Sequence, residues 1–423
     1  MNNKTGKNKF LRLFAVGFGS SLMMAVLGYL VVLFNTKTFG LGLFGKMVLV
    51  QALFEMINKI MSFQSWQVII KFGNEYEHNK AKFSVLLRVF LLTDWITSII
   101  SAVFSVLILN LVLEKIDLDV KDYSWVYICL IITVFSAKGV FEGYMRLQER
   151  FVLANGLQII QVGATAIIAI CAYYFDLSLE EYFKFVLLNV FLMYLIYVKI
   201  IIKDLIGKDN GVSGDLTVKE LKEWYKFSIG GTYNSTVGAI KQKGETIIVG
   251  MMFGSSYAGL YAVAYRIAAM GNKVVESARQ AIYPMIAVKI KQKDEHRMIE
   301  SLLKATYVTL GLGALILVLS IFSIELIMVS LFGEEFLSAS TMTIVLTAAM
   351  LVNLASFYMN SFVQLKYGSA AIIKATTVGL VLYLLTGIVM PYLLGEKWIG
   401  VGSLFFSLTI VYMGIRQIIR GRK

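Results

Sequence analysis

The sequence predicts an all-α integral membrane protein: twelve transmembrane helices in two six-helix lobes, related by a pseudo-two-fold axis along the membrane normal. Three observations predict it. Hydrophobic residues fill 58% of the 423 positions and charged residues only 16%, against about 25% charged in a soluble domain. Apolar stretches of about 20 residues, long enough to cross a bilayer as helices, recur along the whole chain. Lys and Arg collect in alternate loops, as the positive-inside rule requires of a multi-pass protein.

The apolar stretches lie at 12–34, 43–65, 84–112, 124–145, 151–175, 182–203, 225–252, 257–285, 302–328, 339–363, 370–394 and 398–418. The first follows a basic segment, MNNKTGKNKFLRLF, which in outline suggests a signal peptide. Its apolar run continues to about Phe34 without a small-x-small cleavage site, so it reads as a retained helix. The longest polar connection, KDLIGKDNGVSGDLTVKELKE at 203–223, divides the chain into an N-terminal lobe, 1–206, and a C-terminal lobe, 207–423.

One set of loops carries Lys4, Lys7 and Lys9, Lys80 and Lys82, Arg146 and Arg150, Lys219 and Lys222, the run KIKQKDEHR and the tail RQIIRGRK. The other set is mostly acidic, with EKIDLDVKD, DLSLEE and GEE. Both termini are therefore expected on the cytoplasmic face. The net charge of +13 is accounted for by topology and anionic lipid headgroups, with no nucleic-acid partner. Cys129 and Cys171 fall in different spans, and His78 and His296 stand alone in polar loops, so neither a metal site nor a cofactor is expected.

The halves show a weak internal repeat. TFGLGLFGKM (38–47) follows the first span and MFGSSYAGLYAVAY (252–265) the seventh. Both read Phe-Gly, a short gap, then Gly-Leu-aromatic. With six spans per half, this is a parallel repeat.

Charges inside the spans are the functional signal, since each costs roughly 2.5–3.5 kcal/mol at bilayer depth on insertion scales. The seventh span contains GAIKQKGETIIVG (238–250), with Lys241, Lys243 and Glu245. At helical spacing Asn234, Lys241 and Glu245 share a face. Lys241 lies sixteen and eleven residues from the ends of its span, roughly 24 and 16 Å at 1.5 Å per residue, too far to reach water easily by snorkelling. The eighth span carries Arg266 and Lys273 on one face, beside Glu276. The second carries a polar stripe of Gln51, Glu55, Asn58, Lys59 and Ser62, and the third carries Asp94. The plainer readings are an interfacial, snorkelling role for Lys37, Lys46, Lys59, Lys138, Arg279 and Lys374, and a structural ion pair for Glu55 with Lys59. A cavity lined by Lys and Arg suits an anionic or amphiphilic cargo. No GxxxxGK[ST] motif occurs, so movement would draw on an ion gradient, the membrane potential or the cargo's own gradient. A membrane enzyme is the reading from a different class; the longest outer loop, about ten residues, is too short to hold a catalytic site.

The stretch GETIIVGMMFGSSYAGLYAVAYRIA (244–268), leading to ARQAIYPMI (278–286), resembles the polysaccharide-transporter family of the MOP exporter superfamily. Glu245 stands where that family usually has Asp. TFGLGLFGKMVLVQAL, LFGEEFLSAS (331–340) and MPYLLGEKWIGVGSLFF (390–406) fit further family patterns in order, although Gly402 and Ser403 replace the usual small Ala residues. The resemblance implies a MATE-like, two-lobed fold whose central V-shaped cavity alternates between the membrane faces. Its implied cargo is a polyprenyl-diphosphate-linked oligosaccharide, flipped to the outer leaflet of a bacterial or archaeal cytoplasmic membrane for O-antigen, lipopolysaccharide or capsule synthesis. Polysaccharide polymerase and assembly proteins would be its partners, together with membrane lipids. Twelve helices suit the repeat-unit flippases (Wzx type) better than the longer, fourteen-helix lipid II flippases. On this reading Lys241, Arg266 and Lys273 would face the diphosphate, with Lys59 nearby, and Asn234, Gln51 and Asn58 the sugar hydroxyls. Glu245, Glu55 and Asp94 are candidate carboxylates for coupling to H⁺ or Na⁺. The rival within the superfamily is a cation-coupled multidrug or metabolite antiporter of the MATE type.

Overall fold

The computed structural model describes residues 3–76, 78–112, 122–206, 217–269, 295–367 and 369–420. Every element among them is helical, with no strand. α1 (Asn3–Met61) covers the first two expected spans and is broken at Gly40, where φ is 69°. α2 (Ser65–Glu75) follows a three-residue interruption. Then come α3 (Lys80–Val112), α4 (Tyr123–Phe135), α5 (Gly139–Leu147), α6 (Phe151–Tyr174) and α7 (Leu179–Ile206). α8 (Val218–Ala239) runs into a π turn, Ile240–Gly244, and then α9 (Glu245–Phe253). α10 occupies residues 255–269. The chain closes with α11 (Glu295–Phe332), α12 (Ala339–Tyr367), α13 (Ser369–Leu394) and α14 (Val401–Arg420).

Eight helices among the described residues are long and apolar enough to cross a membrane. Their outward faces confirm the solvent they are built for. On α11, Leu315, Leu319, Phe322 and Leu326 are all exposed, a surface that only lipid would wet favourably. The two Phe-Gly pairs of the sequence repeat share a backbone feature, since Gly40 and Gly254 both have positive φ, 69° and 92°. That conformation ends a helix and strains any residue with a Cβ.

Packing divides the chain into two compact units, one of residues 49–244 and one of 1–48 with 245–423. The cuts fall inside α1 and at the end of the π turn, not at the basic linker. In the first unit α2 packs on α5, and α7 on α4 and α6. Its core gathers Phe72, Phe90, Tyr144 and Trp224, each no more than 1% exposed. In the second unit α14 packs against α12 and α13, and α11 against α12. There Gly402 meets the backbone of α13 directly. A Cβ at Gly402 would stand 2.7 Å from the Tyr383 carbonyl oxygen and 3.0 Å from the Gly387 Cα.

At the polar start of α8, Thr217 and Glu220 form a capping box. Glu220 also takes an ion pair from Lys82 of α3 at 2.5 Å. The Lys82 ammonium, joined by the Thr217 hydroxyl and amide, holds the Glu220 carboxyl down at about 2.

Two outcomes follow from this packing. Gly402→Val forces α13 and α14 apart and should cost about 1–3 kcal/mol, read as a lower unfolding midpoint of the detergent-solubilised protein. Because the folded-state pKa of Glu220 is depressed, its contribution is complete above the ordinary carboxylate range and is lost as pH falls toward 2. The stability gap between wild type and Glu220→Gln should therefore be constant from pH 8 to 6 and shrink below pH 5. A constant gap down to pH 3 would remove Glu220 from the acid response.

Candidate functional site: a polar cavity at the helix breaks

Two helices of the 49–244 unit are interrupted, one at the end of the second apolar stretch and one inside the fourth. α1 ends at Met61, and Gln64 takes a left-handed conformation, φ 49° and ψ 43°, before α2 begins. α4 ends at Phe135, and α5 begins only at Gly139. Irregular backbone at membrane depth is tolerated where protein groups satisfy it or where it lines a polar cavity. Both conditions hold. The hydroxyls of Ser228 and Thr232 on α8 donate to the freed carbonyls of Phe63 and Ser62, the latter at 3.3 Å. Gln64 is pinned on every side: its amide donates to Ser62 at 3.1 Å and to Ser235 at 2.7 Å, and its carbonyl accepts from the Trp66 indole at 2.9 Å.

Between the breaks stands Asp94 of α3. One carboxylate oxygen accepts from the Ser65 hydroxyl at the start of α2. The other accepts from the Val140 amide at the start of α5, at 3.1 Å. The first amides of a helix lack internal partners and carry the positive end of its dipole, so one carboxylate serves two helix starts. Gly139 admits this approach, since a Cβ there would stand 3.0 Å from the Asp94 Oδ2.

The breaks open onto a cavity of about 510 Å³. Its charged lining consists of Lys59, Lys138, Glu55, Asp94 and Glu142, and its aromatic wall is Trp66. Two of the carboxylates are paired: Lys243 of the π turn lies 2.7 Å from Glu55, and Arg146 and Lys138 lie 3.8 and 4.0 Å from Glu142. The Lys59 ammonium donates to Gln242 at 2.8 Å. Arg146 lies over the Trp66 ring, 4.6 Å from its centroid. A smaller neighbouring cavity, about 80 Å³, is lined by Gln51, Glu55, Asn58 and Ser136 among others, with the Asn58 amide donating to the Thr133 carbonyl at 3.2 Å.

The structure thus gathers Glu55, Asn58, Lys59 and Asp94 around the larger space, and sets Gln51 with Glu55 and Asn58 at the smaller one. Lys59 and Lys138, read first as interfacial, line the larger space. Lys241 is half-buried in the π turn and is not among the lining residues. Asn234 lies on α8. Within a π turn the hydrogen bonds reach five residues back, so the four-residue spacing that put Lys241 and Glu245 on one face no longer applies. Glu245 is instead buried in the other unit, accepting from Tyr261 at 2.8 Å and Ser403 at 2.7 Å. In that unit Arg266 of α10 lays its guanidinium against Gly28 of α1, where a Cβ would stand 3.3 Å away. Lys273 and Glu276 lie outside the described residues.

Sequence reasoning missed the breaks and the residues that fill them: Gln64, Ser65, Trp66, Ser235 and Gln242. The signal was present in SFQSWQ (62–67), at the end of the second apolar stretch, and SAKG (136–139), inside the fourth, two polar, small-residue interruptions.

The fold is shared with a solved lipid II flippase and with solved MATE transporters. The lipid II flippase MurJ, in an inward closed conformation, matches with a TM-score of 0.76 at 15% identity, over 96% of this chain and 87% of its own. An inward-facing multidrug resistance MATE family transporter matches with a TM-score of 0.74 at 10% identity, over 96% and 98%. The Vibrio cholerae MATE transporter VcmN matches with a TM-score of 0.62 at 12% identity, over 98% of each chain. No curated protein matches the sequence. Residues 11–289 match the family described as polysaccharide biosynthesis protein. That match covers well over half of the chain, which is therefore a multi-pass membrane protein belonging to the polysaccharide biosynthesis protein family.

Proposed function

We propose that this protein flips a polyprenyl-diphosphate-linked oligosaccharide from the cytoplasmic to the outer leaflet, supplying repeat units for a surface polysaccharide such as O-antigen or capsule. The observation that carries the reading is the polar cavity of about 510 Å³ inside a unit whose outer surface is apolar. Such a space shelters a hydrophilic headgroup while its prenyl tail stays in lipid. The family match and the fold shared with a lipid II flippase support it.

In this proposal two six-helix lobes alternate access between the membrane faces, and both termini are cytoplasmic in a bacterial or archaeal inner membrane. Lys241 helps to replace the hydration of the diphosphate, whose oxygens are acceptors only. The step is translocation, with no bond made or broken, so the protein works as a transporter and not as an enzyme, alongside polymerase and assembly proteins that consume the repeat unit.

A second reading, a cation-coupled antiporter of the MATE type, draws on Asp94, a carboxylate set at two helix starts on the cavity wall. The H⁺ or Na⁺ of such a cycle would bind there or at Glu55 or Glu245.

Deleting the protein should leave lipid-linked oligosaccharide accumulated on the cytoplasmic leaflet, identified by mass analysis and by its inaccessibility to an externally added glycosidase. Lys241→Ala should reproduce that defect at normal protein levels, with export reduced at least about tenfold for the loss of one charge-assisted phosphate contact. Wild-type polymer in the mutant would remove Lys241 from the mechanism. Cation-driven dye efflux from proteoliposomes, abolished by Asp94→Asn, would establish the antiporter instead.

A further inference from the structure

Lys71 on α2 and Lys219, Lys222 and Lys226 on α8 have no carboxylate partner among the described residues. Glu75 and Glu223 are exposed on the same two helices, and neither pairs with these lysines. By contrast, Lys82, Lys138, Lys184 and Lys243 of the same unit each have a carboxylate oxygen within 4.0 Å. Lys71 is held in another way. Its ammonium stands 4.5 Å from the centroid of the Phe72 ring and 4.4 Å from that of Phe227 on α8. Ring faces attract a cation without using its N–H donors, so Lys71 is fixed at the seam between α2 and α8 with its donors available to an anion.

The outer face of α8 says where that anion would come from. At helical spacing Lys219, Lys222, Lys226, Ile229 and Tyr233 fall on one face, and all five are exposed. Ile229 is 60% exposed and Tyr233 39%. The face thus passes from basic to apolar within one turn, between Lys226 and Ile229, as a helix does on leaving the headgroup layer for the acyl chains. An acidic soluble protein would match the lysines and leave Ile229 and Tyr233 unaccounted for. The opposite side of α8 carries Ser228, Thr232 and Ser235, which bond the first helix break. None of the four lysines lines the polar cavity.

We infer that the α2–α8 seam binds an anionic phospholipid of the adjoining leaflet, whose phosphate takes the donors of Lys71 and Lys226 while its acyl chains lie along Ile229 and Tyr233. Bound there, the headgroup ties α2 to α8 from outside, across the break that Ser228, Thr232 and Ser235 hold from inside. The inference goes beyond the transport reading and stands for any cargo.

The test is a titration of phosphatidylglycerol into delipidated, detergent-solubilised full-length protein, read as the rise in unfolding midpoint. Phosphatidylcholine is the uncharged comparison. Wild type should be stabilised by phosphatidylglycerol alone, and high salt should remove most of the rise. The double variant Lys71→Gln with Lys226→Gln should bind phosphatidylglycerol about thirtyfold more weakly, for two lysines lost beside an anionic headgroup. Lys71→Arg with Lys226→Arg keeps both charges and should bind as wild type, which separates lost charge from a damaged fold. Lys80→Gln with Lys203→Gln, two exposed basic positions away from the seam, should also bind as wild type. Equal weakening by that pair would make the effect general surface charge and overturn the site. A wild-type midpoint unmoved by phosphatidylglycerol, or undiminished binding by the seam double Gln variant, would overturn it too. Displacement of phosphatidylglycerol by a lower concentration of polyprenyl diphosphate would assign the seam to the cargo instead of the leaflet lipid.

Discussion

Asp94 is the point at which α2 and α5 both begin. Its carboxylate accepts from the Ser65 hydroxyl and from the Val140 amide, so the 49–244 unit holds two interrupted helices at one level. At the start of α5 this gives an acceptor to an amide that has no partner within its own helix, and at the start of α2 it ties down the first side chain. The cavity and the charges around it sit against both breaks. Charge there is compensated locally, as Lys243 beside Glu55 and Asp94 at the start of α5.

The fold class was legible because lipid imposes so strong a constraint: about 20 apolar residues with satisfied backbone leave few alternatives to a helix. Much of the site was legible for the same reason. Polar and charged groups at 51, 55, 58, 59 and 94 are costly in lipid, and the structure sets Glu55, Asn58, Lys59 and Asp94 on one cavity and Gln51 on its smaller neighbour. Facing was less legible. Lys241 and Glu245 were placed on one side by helical spacing, and the π turn at 240–244 replaces that spacing with another. A single wide turn leaves hydrophobicity unchanged, so only the surrounding glycines hinted at it.

The breaks themselves escaped because their causes are distant. Hydropathy windows average over SFQS and SAKG, and neither contains proline. What stabilises the first break comes from α8, some 165–171 residues further along the chain, through Ser228, Thr232 and Ser235. Local sequence cannot report a partner so remote. Most Ser and Thr in such helices bond their own carbonyls, so Ser65, Ser228 and Ser235, which serve a neighbour at the breaks, do not stand out by composition.

Interrupting two helices at one level while α3 and α8 continue past it gives the 49–244 unit the mechanics of a two-storey frame. α2 and α5, packed through Phe72 and Tyr144 with Trp224 of α8 in the same core, form a stiff lower storey. α3 and α8 are the continuous posts, and the floor between storeys is a single plane of side-chain hydrogen bonds. A load on such a frame does not bend every member slightly; it shears the weak plane and leaves each storey rigid. Cargo seated in that plane would sit at the frame's one compliant joint, where the smallest force produces the largest displacement.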